Sequence, residues 1–139
     1  MLPLLINNIE RMRAWLIDDD NVTNMLNRYY LEVHFPHLKI ELFSKAKMAL
    51  NDLIFNGKET DFIFLDLNMP EMNGWEFLDA IAEAAVLPKR FPMIYILSSS
   101  LDPADRERAE THQFVAGFLS KPLESVELEF LSQVDFEKK

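Results

Sequence analysis

Four polar punctuation marks interrupt the apolar rhythm of this 139-residue chain: Asp18-Asp19, Asp66, Ser98 and Lys121. Each follows a short apolar run. Ala14-Trp15-Leu16-Ile17 leads into Asp18-Asp19-Asp20, and Phe62-Ile63-Phe64-Leu65 into Asp66. Met93-Ile94-Tyr95-Ile96-Leu97 leads into Ser98-Ser99-Ser100, and Phe114-Val115-Ala116-Gly117-Phe118-Leu119 into Ser120-Lys121-Pro122. If the runs are parallel strands, all four marks meet at one edge of a sheet. Three carboxylates then face one ammonium group, which leaves negative charge unbalanced and raises carboxylate pKa values. A divalent cation would balance it. With oxygen ligands and no cysteine, the hard ions Mg²⁺ or Mn²⁺ fit. A carboxylate in such a site can act as a nucleophile and form an aspartyl phosphate. Lys121 would neutralise charge developing on the phosphoryl oxygens, and a serine hydroxyl would donate to one of them.

The elements that must position these groups alternate. After the first run, Val22, Met25, Leu26, Tyr29 and Val33 recur at helical spacing, and Pro36 closes that helix. Leu38 to Phe43 begins with apolar–polar alternation, the pattern of a strand with one wetter face and hence of a sheet edge. Ser44 is placed to cap a helix carrying Ala46, Ala49, Leu50, Leu53 and Ile54, with Gly57 at its end. The runs at 62–65 and 93–97 are continuously apolar, as expected of strands covered on both faces. Asn73 and Glu76 have capping-box spacing ahead of Phe77, Leu78, Ile81, Ala82 and Ala85. Asp102-Pro103 opens a mostly polar helix to about His112, and a last helix carries Leu123, Val126, Phe130 and Val134. Five βα units imply a doubly wound parallel sheet with right-handed crossovers. The order 2-1-3-4-5 puts the wetter second strand at an edge. It is a known order, that of the flavodoxin-like folds, in which ligands bind at the switch point between strands one and three.

Composition removes several function classes. There are 23 acidic against 14 basic residues, a net charge of −9, which opposes a sequence-independent grip on nucleic acid or docking on an anionic membrane. The absence of cysteine excludes disulfides, thiolate chemistry and Cys-based zinc sites. No apolar run approaches the roughly 20 residues of a membrane span. The start lacks the basic leader and cleavage site of a signal peptide, so a cytoplasmic location is expected. His34, His37 and His112 have no ligand-type partner at metal spacing and are expected in loops or at the surface.

The pieces WLIDDD (15–20), FIFLDLNMPEMNGWEFL (62–78), YILSSS (95–100) and FLSKPL (118–123) together resemble the receiver domain of two-component response regulators. The resemblance runs from Arg13 into the last helix, giving a receiver at 13–139 behind an N-terminal extension at 1–12. It implies Asp66 as phosphoacceptor and Asp18 and Asp19 as the acidic pair, with Asp19 a direct metal ligand. It further implies that Asn68 offers its backbone carbonyl to the metal, that Ser98 is the switch hydroxyl, and that Lys121 is the family lysine. Phe118 stands at the switch-aromatic position, where receivers often carry Tyr, so switching there is by packing alone. A cis bond often precedes the proline in the position of Pro122. The implied partners are a sensor histidine kinase or histidine phosphotransfer protein and a downstream protein, with no nucleic acid and no membrane. The implied role is that of a stand-alone, non-enzymatic signalling protein, since no output module is expected after the last helix.

Three other readings stand beside this one. A phosphorelay intermediate or phosphate sink keeps the fold and changes the role. An aspartate-nucleophile phosphatase of the haloacid-dehalogenase type needs a second Asp where this chain has Asn68. A flavodoxin-like cofactor binder needs a Ser/Thr/Gly-rich loop where this chain has three carboxylates. Among the remaining features, Asp20 or Asn21 suits a helix cap. Trp75 is expected to pack near the site without taking part in its chemistry. Arg106 and Arg108 on the polar fourth helix are placed to meet an acidic protein partner.

Overall fold

The structure, a computed structural model, describes residues 12–84, 88, 90–99 and 102–123. Most of the N-terminal extension and the last-helix positions Val126, Phe130 and Val134 lie outside the described residues. The strands are β1 (Arg13–Ile17), β2 (Lys39–Phe43), β3 (Phe62–Leu65), β4 (Met93–Ser98) and β5 (Val115–Ser120). Between them lie α1 (Asn21–His34), α2 (Ala46–Leu50, continued by a π-helical turn Asn51–Phe55), α3 (Gly74–Glu83) and α4 (Pro103–Thr111). All pairings are parallel, in the order β2-β1-β3-β4-β5. The expected α/β topology is therefore the one observed.

The period-2 geometry of the strands sorts their apolar residues into two cores. Trp15, Ile17, Ile63, Leu65, Ile94 and Ile96 face α2, α3 and Ala109 of α4. Ala14, Leu16, Phe62, Phe64, Tyr95 and Leu97 face Leu31 of α1, Phe35, Leu119 and Leu123. Both faces of the central strands are thus dry, which is why their sequences are unbroken apolar runs. β2 alternates exposed Lys39 and Glu41 with more buried neighbours, in keeping with its edge position.

The caps follow the sequence with one exception. Asp20 caps α1 by accepting from the Val22 and Thr23 N–H groups. Asn73 and Glu76 form a reciprocal capping box on α3. Asp102 accepts from the Ala104 N–H, with Pro103 in the first turn of α4. Ser44 does not cap α2: Lys45 occupies that position and makes no side-chain cap bond. Gly57 lies just beyond the π-helical turn at φ +65°, a conformation that favours glycine.

The stripe of α1 departs from the usual arrangement. Val22, Met25, Leu26, Tyr29 and Val33 are exposed, while Asn24, Asn27 and Leu31 are buried. Inside, Asn24 Nδ2 donates to the carbonyls of Asp18 and Phe43, which ties α1 to the ends of β1 and β2. Asn27 Oδ1 accepts from the Leu123 N–H. The helix is docked by amides, Leu31 and half-buried Tyr30, and its apolar stripe faces water.

Candidate functional site

At the carboxyl ends of β1, β3 and β5 an open cleft of about 530 Å³ is lined by Asp18, Asp19, Asp66, Asn68, Ser99, Lys121 and neighbouring residues. The strands set its geometry. Asp18 and Asp66 are the first residues past β1 and β3, each held by its own backbone: Asp18 N–H donates to Phe43 O, and Asp66 N–H to Ile17 O. Lys121 follows β5, and its N–H donates to Ser98 O. The Lys121–Pro122 peptide bond is cis. From there Lys121 Nζ reaches Asp18 Oδ2 at 2.7 Å and Asp66 Oδ1 at 2.9 Å. The other Asp18 oxygen, Oδ1, accepts from the Asp20 N–H at 2.9 Å.

The loop after β3 is shaped around Asp66. Glu71 takes a left-handed backbone, φ 68°. Gly74 N–H donates to Leu67 O, and a Cβ on Gly74 would lie 2.5 Å from the Asp66 carbonyl oxygen. Only glycine lets the start of α3 come this close to the chain carrying Asp66.

Charge and burial compete in the cleft. Burial pushes the Asp66 carboxyl above the ordinary carboxylate range, and the Asp18 charge adds to this. The hydrogen bond and charge of Lys121 and the Asn68 N–H pull it back only in part. For Lys121, burial disfavours the ammonium, but its hydrogen bonds to Asp18 and Asp66 and their charges outweigh burial and hold its pKa above the ordinary lysine value. One oxygen from each of Asp18, Asp19 and Asp66 lies within 4.8 Å of the other two. That all-oxygen donor set fits a hard divalent cation.

The structure therefore brings Asp18, Asp19, Asp66, Asn68 and Lys121 into one cleft. Ser98 is buried at the end of β4, and exposed Ser99 is the serine on the cleft wall. Phe118 is half-buried on β5 against the core, with the Arg106 guanidinium 4.8 Å over its ring. Thr23 and Leu26 also line the cleft. The sequence signal for them was their place one and two turns beyond the Asp20 cap. His112 lies in the loop between α4 and β5, half-buried between Trp75 and Phe114, and its Nδ1 accepts from the Phe114 N–H. Arg108 lies 4.2 Å over the Trp75 ring.

A family model described as "Response regulator receiver domain" matches residues 14–131. The chain belongs to this family. As a receiver domain of a response regulator it is a part of two-component signalling, which implies a histidine kinase or phosphotransfer protein upstream. A solved two-component response regulator from Cytophaga hutchinsonii is 34% identical, with TM-score 0.76, covering 86% of this chain and 92% of its own. A response regulator receiver protein from Dyadobacter fermentans is 26% identical, with TM-score 0.74, covering 86% of this receiver and 94% of its own chain. The Vibrio cholerae chemotaxis protein CheY4 shares the fold at 22% identity and TM-score 0.70, over 88% and 96% of the two chains. No curated protein matches. Among the described residues, no helix of this receiver is long and apolar enough to cross a membrane.

Proposed function

We propose that this chain, with its receiver domain at 13–139 behind an extension at 1–12, accepts a phosphoryl group on Asp66 from a histidine kinase or histidine phosphotransfer protein. The observation that carries this reading is the bridge from Lys121 Nζ to Asp18 and Asp66, with a third carboxylate, Asp19, in the same cluster. Asp18, Asp19, Asp66 and the backbone carbonyl of Asn68 would hold Mg²⁺ or Mn²⁺. When bound, that ion supplies the charge screening that lets a phosphoryl group approach three carboxylates. An Asp66 carboxylate oxygen attacks phosphorus, the P–N bond to the donor histidine breaks, and its electron pair stays on the histidine nitrogen. Lys121 leaves its contact with Asp66 for a phosphoryl oxygen and keeps Asp18. Ser98 donates a hydroxyl to another phosphoryl oxygen, and that pull on the end of β4 is passed to Phe118 on β5. The phosphorylated form then shifts an existing equilibrium towards one that binds a downstream protein. The chain acts as a signalling module rather than an enzyme, and a net charge of −9 opposes DNA as its target.

Intact-mass spectrometry after treatment with a small phosphodonor and Mg²⁺ tests this. One phosphoryl adduct is expected on the native chain and none on Asp66→Asn. The same adduct on the variant would overturn the assignment. Ser98→Ala should weaken the partner response more than Ser99→Ala; the reverse order would move the switch hydroxyl to the exposed serine on the cleft wall.

A further inference from the structure

The inward face of α1 carries two asparagines a turn apart, Asn24 and Asn27, 2% and 1% exposed. Each ties a different piece of the cleft to the helix. Asn24 Nδ2 donates to Asp18 O at 2.9 Å and to Phe43 O at 3.1 Å. Phe43 O also accepts from the Asp18 N–H, so the Asp18 backbone is held from both of its polar groups. Asn27 Oδ1 accepts from the Leu123 N–H at 2.9 Å. Pro122 has no N–H, so Leu123 carries the first backbone donor after Lys121. On the near side, Lys121 is held by its own N–H, which donates to Ser98 O. One turn of α1 thus fixes two backbone segments, 103 residues apart, whose side chains meet at 2.7 Å, Lys121 Nζ on Asp18 Oδ2.

As packing, the two amides are costly. Their other ends, Asn24 Oδ1 and Asn27 Nδ2, are buried with no partner among the described residues. An unmade buried polar group opposes folding. Leu31, on the same face, docks α1 without that cost. What the asparagines add is placement. We propose, on the reading of Asp66 as phosphoacceptor, that Asn24 and Asn27 are positioning residues for phosphoryl transfer. Asn24 sets the Asp18 carboxylate for the divalent cation, and Asn27 sets the Lys121 ammonium for the phosphoryl oxygens. Neither asparagine touches the reacting atoms. The two effects separate because the groups they place have opposite charge. Asp18 is a donor to the cation, so displacing it weakens metal binding. Lys121 repels the cation, so displacing it leaves metal binding intact and costs only the transfer.

Magnesium titration by calorimetry, and the rate of adduct formation with a small phosphodonor over a range of Mg²⁺ concentrations, test this on the full chain. Asn24→Ala should raise the Mg²⁺ dissociation constant about tenfold or more, the scale of a lost outer-shell partner. Its rate should recover at high Mg²⁺. Asn27→Ala should keep the Mg²⁺ affinity and lower the rate at saturating Mg²⁺ about tenfold, since a small misplacement of a charge-neutralising group is felt directly in the rate. Asn27→Asp keeps an oxygen for the Leu123 N–H and should return most of that rate. Leu31→Val, on the same face with no polar tie to the cleft, should lower stability and change neither readout. Urea unfolding curves confirm that each variant is folded under the assay conditions. Asparagine variants that match Leu31→Val in both readouts would overturn the proposal, as would two variants that lose affinity and rate alike. In either case a native adduct absent from Asp66→Asn leaves Asp66 as phosphoacceptor. No adduct on the native chain would instead overturn the reading of Asp66, and this proposal with it.

Discussion

α1 and α3 carry nearly the same apolar spacing and bury opposite faces. In α3, Phe77, Leu78 and Ile81 are fully buried under the sheet. In α1, Val22, Met25, Leu26, Tyr29 and Val33 look outward, and Asn24 and Asn27 look inward. Periodicity shows that a helix has an apolar stripe, but it does not say what the stripe faces. The direction is set by what the other face can satisfy. The carbonyls of Asp18 and Phe43 end β1 and β2 beneath α1, and an asparagine supplies the N–H donors that an aliphatic residue could not. The beginning of α3 lies on the backbone of Asp66 through Gly74, which fixes its apolar face against β3 and β4.

The comparison fails if matched truncations cost the same. Phe77→Ala should destabilise the chain by about 3–5 kcal/mol, the usual range for a buried phenylalanine. Tyr29→Ala at the same helical phase of α1 should stay within about 0.5 kcal/mol, as surface changes do. Urea midpoints at low protein concentration measure both. Asn24→Ala comes next, at about 1–3 kcal/mol, because two buried carbonyls lose their side-chain donor. A smaller loss would show that the inner amides do not hold α1. Asn24 Oδ1 is itself buried without a partner, and relief of that group places the expected loss in the lower half of this range.

Much of this was legible in the sequence. The five strands, the caps at Asp20, Asn73 and Asp102, and the meeting of Asp18, Asp19, Asp66 and Lys121 at one sheet edge follow from where apolar runs stop, while the strand order was matched to that of a known fold. Strand ends are readable because a run covered on both faces cannot continue through an aspartate. What was not legible depended on contacts distant in sequence. Which serine lines the cleft turns on a one-residue difference at the end of β4. The outward stripe of α1 depends on carbonyls 6 and 19 residues away from Asn24. The place of His112 depends on Trp75 and Phe114 closing around it.

The caps of the two helices sharpen the comparison at a smaller scale. Asn73→Ala should cost about 1 kcal/mol, since it breaks the reciprocal box on α3. Asp20 does the same work on α1 with a charge. Hydrogen bonds from Thr23 hold its pKa below the ordinary carboxylate value, with Val22 adding to this. A depressed folded pKa contributes stability above the unfolded value of 3.8, and that stability is lost as pH falls through the folded value. Asp20→Asn keeps a capping oxygen without a charge. Melts of the two proteins should therefore differ least at the acid end and reach their full difference above pH 3.8. A gap that widens on acidification would contradict the assignment of the cap to the ionised form.

The smallest effect belongs to α4, which has neither kind of stripe. Ala109 is its one buried residue, so burial of aliphatic side chains contributes little to holding it on the sheet. The two arginines placed by the sequence to meet an acidic partner lie over aromatic rings: Arg106 over Phe118 at 4.8 Å and Arg108 over Trp75 at 4.2 Å. The contacts join α4 to β5 at one end and to the start of α3 at the other. Each is worth about 0.5–1 kcal/mol at a solvent-facing site. Arg108→Ala should lower stability by about that amount, and Arg108→Lys by less, because the planar guanidinium stacks where an ammonium does not. Trp75 reports on the same contact. The other tryptophan, Trp15, is buried within the sheet, so a change in emission on Arg108→Ala comes from Trp75. Exchange of the α4 amides should quicken in the same variant while those of α3 keep their rate, because α3 is held by Phe77, Leu78 and Ile81 whether or not Trp75 is covered. Unchanged emission together with unchanged α4 exchange would show that the Arg108 guanidinium adds nothing to the attachment, leaving α4 held by Ala109 and by Arg106 over Phe118.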